Sequence, residues 1–174
     1  SVREVVEGRR MRKRKTWCAF LDVVKAYDTV WLSGLWWKMR KIGIGGKVMR
    51  VLEEWYEGVR SAVVTRGGLS EWVRLLRGVK QGGVLSSLLY SLYIDGAMEV
   101  LKKSGVGVVE NGEWMGAFLY ADDIVLLASS AEESQGMVKA MEEYGKRWRF
   151  KFSGEKSKCC LVYTSDSAAD TRCD

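Results

Sequence analysis

The sequence predicts an α+β fold, an antiparallel sheet with helices packed on one face. Three observations predict it. Short β-branched and aromatic runs alternate with amphipathic stretches of helical length. Gly- and Asp-containing turns sit where neighbouring strands would reverse. No repeat period or linker-like segment divides the 174 residues, a length that suits one domain or part of a larger one.

Taken in order, Thr16–Val23 (TWCAFLDV) reads as a buried strand bounded by charge. Trp31–Ile42 reads as a helix with Leu35, Trp36, Met39 and Ile42 on one face and Gly43 as its stop. Lys47–Tyr56 is a second helix, expected to turn Val48, Val51, Leu52 and Trp55 inward. Arg60–Thr65 and Glu71–Leu76 form a hairpin around Arg66-Gly67-Gly68. Ser86–Leu101 is helical, with Leu88, Leu89, Leu92 and Val100 as its apolar positions. Val106–Glu110 and Glu113–Met115 flank Asn111-Gly112, a type I′ signal. Ala117–Tyr120 and Ile124–Ala128 are short strands around Ala121-Asp122-Asp123. Ser130 and Glu133 form a capping box for a helix that runs to about Trp148, with Met137, Val138, Met141, Tyr144 and Trp148 as its stripe. Lys151 onward is extended again.

Composition narrows the chemistry. The chain has no histidine, which removes His-based nucleophile activation, His general bases and His zinc ligands. It also has no proline. Catalysis must then rest on carboxylates, lysines, thiols or a metal held by oxygen. The four cysteines show no C-x-x-C pair, and free thiols are expected. No signal peptide is visible, and the longest uncharged apolar-rich run, Gly82–Ile94, is too short to span a bilayer, so no membrane partner is expected. The net charge of +6 is uneven: residues 1–16 carry +5, and a second basic cluster runs from Lys146 to Lys158. Such clusters suit either a polyanion or solvent.

Three carboxylates need explaining. Asp22 lies inside the apolar run Phe20–Val24, and Asp122-Asp123 separate two apolar strands. A carboxylate near a core is expensive unless paired, hydrogen-bonded or metal-bound. Taken alone, Asp122-Asp123 are better explained by a hairpin turn, and Asp22 by itself could be a bulge or strand-edge residue. If the two strands are neighbours, Asp22 and Asp122 reach one end of the sheet. Mg²⁺ held by one or two carboxylates would then offset their repulsion. Two such ions support phosphoryl transfer without histidine.

These residues carry a family resemblance. Phe20-Leu21-Asp22-Val23-Val24-Lys25-Ala26-Tyr27-Asp28 resembles the first palm motif of reverse transcriptases. Lys80–Ser86 (KQGGVLS) resembles their Gln-Gly motif, Tyr120-Ala121-Asp122-Asp123 their Y-x-D-D motif, and Phe152–Lys158 (FSGEKSK) the lysine motif that follows. The order is the family's, with intervals of 59, 41 and 34 residues between Asp22, Gln81, Asp122 and Lys156. The texture is most similar to non-LTR, LINE-type retrotransposon enzymes.

The resemblance implies a polymerase palm over residues 16–160, preceded by a basic segment, 1–15, from the fingers/palm junction. It implies an RNA-directed DNA polymerase that transfers a nucleotide from a dNTP to a primer 3′-OH. Asp22 and Asp122 would be the main ligands of two Mg²⁺ ions, with Mn²⁺ as a substitute, and Asp123 would support them. Lys156 would be a general acid near the leaving pyrophosphate, or else a phosphate-contacting or solvent lysine. Tyr27 would be a steric gate against a ribose 2′-OH, or else an ordinary core aromatic. Gln81 and Gly82 would lie against the incoming nucleotide and template. Arg12, Lys13, Arg14, Lys15 and Lys80 would contact nucleic acid. The implied partners are an RNA template, a DNA primer, a dNTP and the fingers, thumb and endonuclease of the same polyprotein. The setting would be intracellular, in the nucleus or a cytoplasmic ribonucleoprotein. The isolated segment is expected to be inactive without fingers and thumb. Alternatives are a non-catalytic nucleic-acid-binding remnant of a degenerate element, or a group II intron-type enzyme.

Three positions depart from the family: Ser87 stands where Pro is usual, Ser153 where Asn is usual, and Gly154 where Pro or Ala is often found. Residues 161–174 depart abruptly. They resemble the translation of a transposase-derived sequencing adapter, so this tail is either genuine chain or read-through.

Overall fold

A computed structural model describes residues 1–162 and the backbone of 171–173. Most of the tail singled out above therefore lies outside the described residues. The chain opens with helix α1 (Val2–Met11), then strand β1 (Thr16–Asp22), the short α2 (Ala26–Thr29), α3 (Leu32–Lys41) and α4 (Gly46–Glu57). Four two-residue strands follow: β2 (Arg60–Ser61), β3 (Val64–Thr65), β4 (Gly68–Leu69) and β5 (Val73–Arg74). Next come α5 (Ser86–Ile94), α6 (Gly96–Lys103), β6 (Val109–Glu110), β7 (Glu113–Trp114), β8 (Ala117–Tyr120) and β9 (Asp123–Ala128). The last elements are α7 (Ala131–Arg147), β10 (Lys158–Val162) and β11 (Thr171–Cys173). The chain divides into two units, residues 1–26 with 94–174, and residues 27–93. Among the described residues, no helix is long and apolar enough to cross a membrane.

The first unit is built on a five-stranded antiparallel sheet of order β11-β10-β1-β9-β8. Strand alternation splits β1 cleanly. Trp17, Ala19 and Leu21 face α7, where they line a cavity with Ala131, Ser134 and Val138. α7 starts where Ser130 Oγ accepts the Glu133 N–H at 3.1 Å, as the capping signal predicts. The Glu133 carboxylate reaches back to the N–H of Ser129, one residue before the cap. Met137, Met141, Tyr144 and Trp148 are buried, as expected.

α6 packs against α7 on this face. The opposite face has a helix too. Cys18 and Leu127, cross-strand partners, pack with Val108 against Val2, Val5 and Val6 of α1. Charge dominates residues 1–15 in the sequence and suggests a basic segment from a fingers/palm junction. Ser1 and Glu4 in fact cap a helix reciprocally, and Val2, Val5, Val6 and Arg9 repeat at helical spacing. The β6–β7 hairpin turns at Asn111 (φ 53°) and Gly112 (φ 80°), the two positive φ values of a type I′ turn. Cys18 and Cys159 are free thiols, but Cys160 is disulfide-bonded, unlike the free state expected of it.

The second unit holds α3 and α4. Leu35, Trp36 and Met39 are buried as expected, whereas Ile42, just past the end of α3, is exposed. On α4 the inward residues are Met49 and Leu52, while Val48, Val51 and Trp55 face solvent. Leu52 is inward as expected, but its buried companion is Met49 and not Val48, Val51 or Trp55. The hairpin of residues 60–74 forms as two ladders, β2–β5 and β3–β4. The long helix expected over Ser86–Leu101 breaks at Asp95 into α5 and α6. Leu89, Tyr90, Tyr93 and Ile94 take the buried positions of α5, leaving Leu88 exposed.

Candidate active site

In the first unit, the sheet places Asp22 at the end of β1 directly opposite Asp123 on β9. Tyr120 of β8 faces Asp123 in turn. Opposed residues share a face, with Cβ atoms roughly 5 Å apart, and like charges so placed repel. The neighbouring Leu21 and Ile124 point to the other face and are buried. On the acidic face, Phe20 is 43% exposed and Tyr120 is 83% exposed, so this end of the sheet is open. Asp122 sits one residue before Asp123, in the two-residue turn that joins β8 to β9. Ala121 begins that turn at φ 52°, a left-handed conformation that costs a non-glycine residue about 1–3 kcal/mol.

The donor set is all oxygen. Among the described residues, no cluster of three or more Asp, Glu, His or Cys side chains is arranged to hold a metal. Two facing carboxylates fit Mg²⁺, which takes one or two carboxylates and fills its remaining positions with water and phosphate. They do not fit a zinc or calcium cage, which needs more protein ligands.

The lysine motif is attached to Asp22 through the backbone. Val23 bridges Phe152, and the Val24 N–H donates to the Lys151 carbonyl at 2.9 Å. The Ser153 N–H donates to the Asp22 carbonyl at 2.8 Å, and the Asp22 N–H donates to Ser157 Oγ at 3.2 Å. Lys156 is exposed in the turn between these serines, and its N–H donates to Ser153 Oγ at 3.3 Å. Ser153 and Ser157 tie the loop to Asp22, a link that the motif alone does not show. A serine has no signal of its own, and only the register reveals what it holds.

The second unit brings Tyr27, Lys80, Gln81 and Gly82 together. The Val79 N–H donates to the Tyr27 carbonyl at 2.7 Å, and the Gly78 N–H to the Val30 carbonyl at 2.9 Å. A Cβ on Gly78 would meet the Asp28 backbone at 3.0 Å, so only glycine lets the two segments approach this closely. Gln81 donates to Asp28 Oδ1 at 3.4 Å, giving Asp28 a partner as well as its place in α2. The Gly83 N–H closes a turn on the Lys80 carbonyl at 3.0 Å, with Gly82 at φ 75° in its third position, as a type II turn requires. Tyr27 stacks on Tyr90 of α5 with ring centroids 5.2 Å apart. Ser87 is the second residue of α5, a place where proline is favoured but not required.

The basic run before β1 is partly occupied. Arg9 is buried and donates to Thr16 Oγ1, the Lys15 carbonyl, Ser129 Oγ and Glu110. Arg12 and Arg14 also pair with Glu110. Lys13, at φ 55°, lies in the turn after α1 and is exposed. Glu110, which no motif flagged, is thus the counter-ion of half the cluster.

The sheet, the opposed carboxylates and the attached lysine loop can be set beside known proteins. The structure superposes on telomerase from Candida tropicalis with a TM-score of 0.66 at 11% identity, covering 96% of this chain and 28% of that one. Telomerase from Candida albicans gives a TM-score of 0.64 at 15% identity, covering 97% and 32%. The sequence is 28% identical to a Pol polyprotein from the retrotransposable element R2 of Nasonia vitripennis, covering 79% of this chain and 13% of that one. It is 27% identical to the RNA-directed DNA polymerase of the mobile element jockey from Drosophila funebris, covering 91% and 17%. A Drosophila melanogaster X-element polymerase is 30% identical, covering 79% and 15%. The chain therefore spans a small part of the length of the relatives it matches. The family described as reverse transcriptase (RNA-dependent DNA polymerase) matches residues 2–171, and this chain belongs to it.

Proposed function

We propose that the chain is the palm of a non-LTR retrotransposon polymerase that copies RNA into DNA. The observation that carries this reading is the Asp22–Asp123 pair, with Asp122 in the adjoining turn, at an open sheet end. Mg²⁺ held there would supply charge neutralisation and an activated primer hydroxyl. Asp22, Asp122 and Asp123 would hold it, two of them opposed across the strands and one in the strained turn. Lys156 would hold a proton near the leaving pyrophosphate. Tyr27, backed by the Tyr90 ring, would sit against the sugar of an incoming dNTP. Gln81 and Gly82 would lie against base and template. Lys80, Lys13, Lys15 and those arginines not engaged by Glu110 would follow the phosphates of an RNA template and DNA primer.

The test is primer extension on an RNA template. The chain is assayed alone and grafted into the jockey polymerase in place of its matching segment. The graft is expected to extend the primer in Mg²⁺ and in Mn²⁺. Asp22→Asn or Asp122→Asn is expected to abolish extension, and near-normal extension by either variant overturns the reading.

A further inference from the structure

We infer that Ser157 is a positioning residue for Asp22, held in place by a bulge that the lysine loop inserts opposite it. The proposal rests on the reading that Asp22 helps hold a divalent cation. β10 pairs with β1 as far as Phe20↔Lys158, and the next bridge is Val23↔Phe152. Three steps along β1 thus face six along its partner, so three extra residues bulge out opposite Asp22. Bulges of this kind end regular pairing and re-aim a side chain, and they are over-represented beside active sites.

Asp22 would lose its ladder partner on the β10 side at such a bulge. Instead both of its backbone groups are engaged by the ends of the bulge. Ser157 Oγ accepts the Asp22 N–H at 3.2 Å, and the Ser153 N–H donates to the Asp22 carbonyl at 2.8 Å. The bulge is closed on itself by the Ser157 N–H to the Ser153 carbonyl at 2.9 Å, and by the Lys156 N–H to Ser153 Oγ at 3.3 Å. Of the two bonds to Asp22, only the one to Ser157 uses a side chain. That bond can be removed without touching the backbone.

The opposed Asp123 explains why the anchor is needed. Repulsion across the pair favours peeling the end of β1 away from β9. The Ser157 hydroxyl fixes the end of β1 from its other edge, so that it neither frays nor twists. It keeps the Asp22 carboxylate facing Asp123 before any cation arrives. The same clamp carries Lys156, so the orientation of Asp22 and the path of the lysine loop are set together.

Mn²⁺ binding to the whole chain, followed by electron paramagnetic resonance, tests this without any catalytic turnover. Ser157→Ala is expected to weaken Mn²⁺ binding roughly tenfold, the low end for losing a group that orients a ligand. Ser157→Thr, which keeps the hydroxyl, is expected to stay within about twofold of the parent. Thermal unfolding of the metal-free Ala variant should stay within a few degrees of the parent. Amide hydrogen exchange gives a second measurement that needs no metal. The Asp22 amide should exchange about fivefold faster in Ser157→Ala, with Val24 unchanged. Parent-like Mn²⁺ binding by Ser157→Ala, with binding still abolished by Asp22→Asn, overturns the positioning role. An unchanged Asp22 exchange rate overturns it equally. If Asp22→Asn leaves Mn²⁺ binding intact, the metal reading fails. Faster Asp22 exchange in the Ala variant would then still support Ser157 as the anchor of the strand end.

Discussion

Replacing Glu110 by alanine is expected to destabilise the protein by about 3 kcal/mol. Its side chain is 10% exposed and that of Arg9 is 5% exposed, so their 3.0 Å contact belongs on the scale of buried pairs. Removing one partner of a buried pair costs about 3–5 kcal/mol, because the remaining charge is left uncompensated. Arg9 keeps three other acceptors, Thr16 Oγ1, the Lys15 carbonyl and Ser129 Oγ, which places the value at the lower end. Arg12 and Arg14, both half-exposed, lose a counter-ion but can be solvated. For a chain of this length, about 3 kcal/mol lowers the melting temperature by roughly 6–12 °C. Urea denaturation with and without 1 M NaCl is the assay. The loss should persist in high salt, where an exposed pair such as Arg3–Glu7 contributes nothing. A loss below about 1 kcal/mol, or one that salt erases, would refute the buried-hub argument. The same variant frees Arg12 and Arg14. Affinity for single-stranded RNA should then rise, with a steeper salt dependence, if these arginines face the template.

Two further outcomes are expected. Ala121→Gly relieves the left-handed strain in the turn before Asp122 and should raise stability by about 1 kcal/mol in denaturant titration; a loss would show that the turn is unstrained. Burial, with a smaller contribution from Cys159, pushes the Cys18 thiol up to about 11 from its ordinary value near 9. Between these values the folded chain holds a proton that the unfolded chain has lost. The Cys18 contribution is therefore complete below pH 9 and disappears as the pH rises to 11, a change of roughly 2–3 kcal/mol. Cys18→Ala should flatten that interval relative to the parent, and identical pH profiles would refute the assignment.

Much of the site was legible in the sequence because the chemistry constrains it tightly. An aspartate inside TWCAFLDV and two more between apolar strands have few inexpensive explanations, and their spacing carried the family. The Asn111-Gly112 turn was legible because only such residues accept two positive φ values. The misreadings have physical causes. On α4, Leu52 can share an apolar face with Val48, Val51 and Trp55 or with Met49 and Tyr56. Periodicity does not choose between them, because the choice is made by what packs alongside. α1 was missed because its seven-residue basic neighbourhood drew the reading toward charge, although Ser1, Glu4 and the valines carried a helix signal. The Asp22–Asp123 register and the serine clamp were out of reach. They depend on pairings between segments more than a hundred residues apart, for which local pattern holds no information.

That separation has a consequence for folding. β1 is the central strand of its sheet, yet both neighbours come from the last third of the described chain. Ser157 is 135 residues from the amide it caps. During synthesis β1 must wait with both edges bare until β9 has emerged, and with one edge bare until β10 has. Loop closure over such distances is slow. A copy interrupted ahead of Lys158 would leave this apolar strand with at least one edge permanently unpaired. Such an edge invites aggregation. The topology thus leaves any copy truncated ahead of β10 open to aggregation, so that a premature stop in the last third of this segment endangers the fold as well as the site.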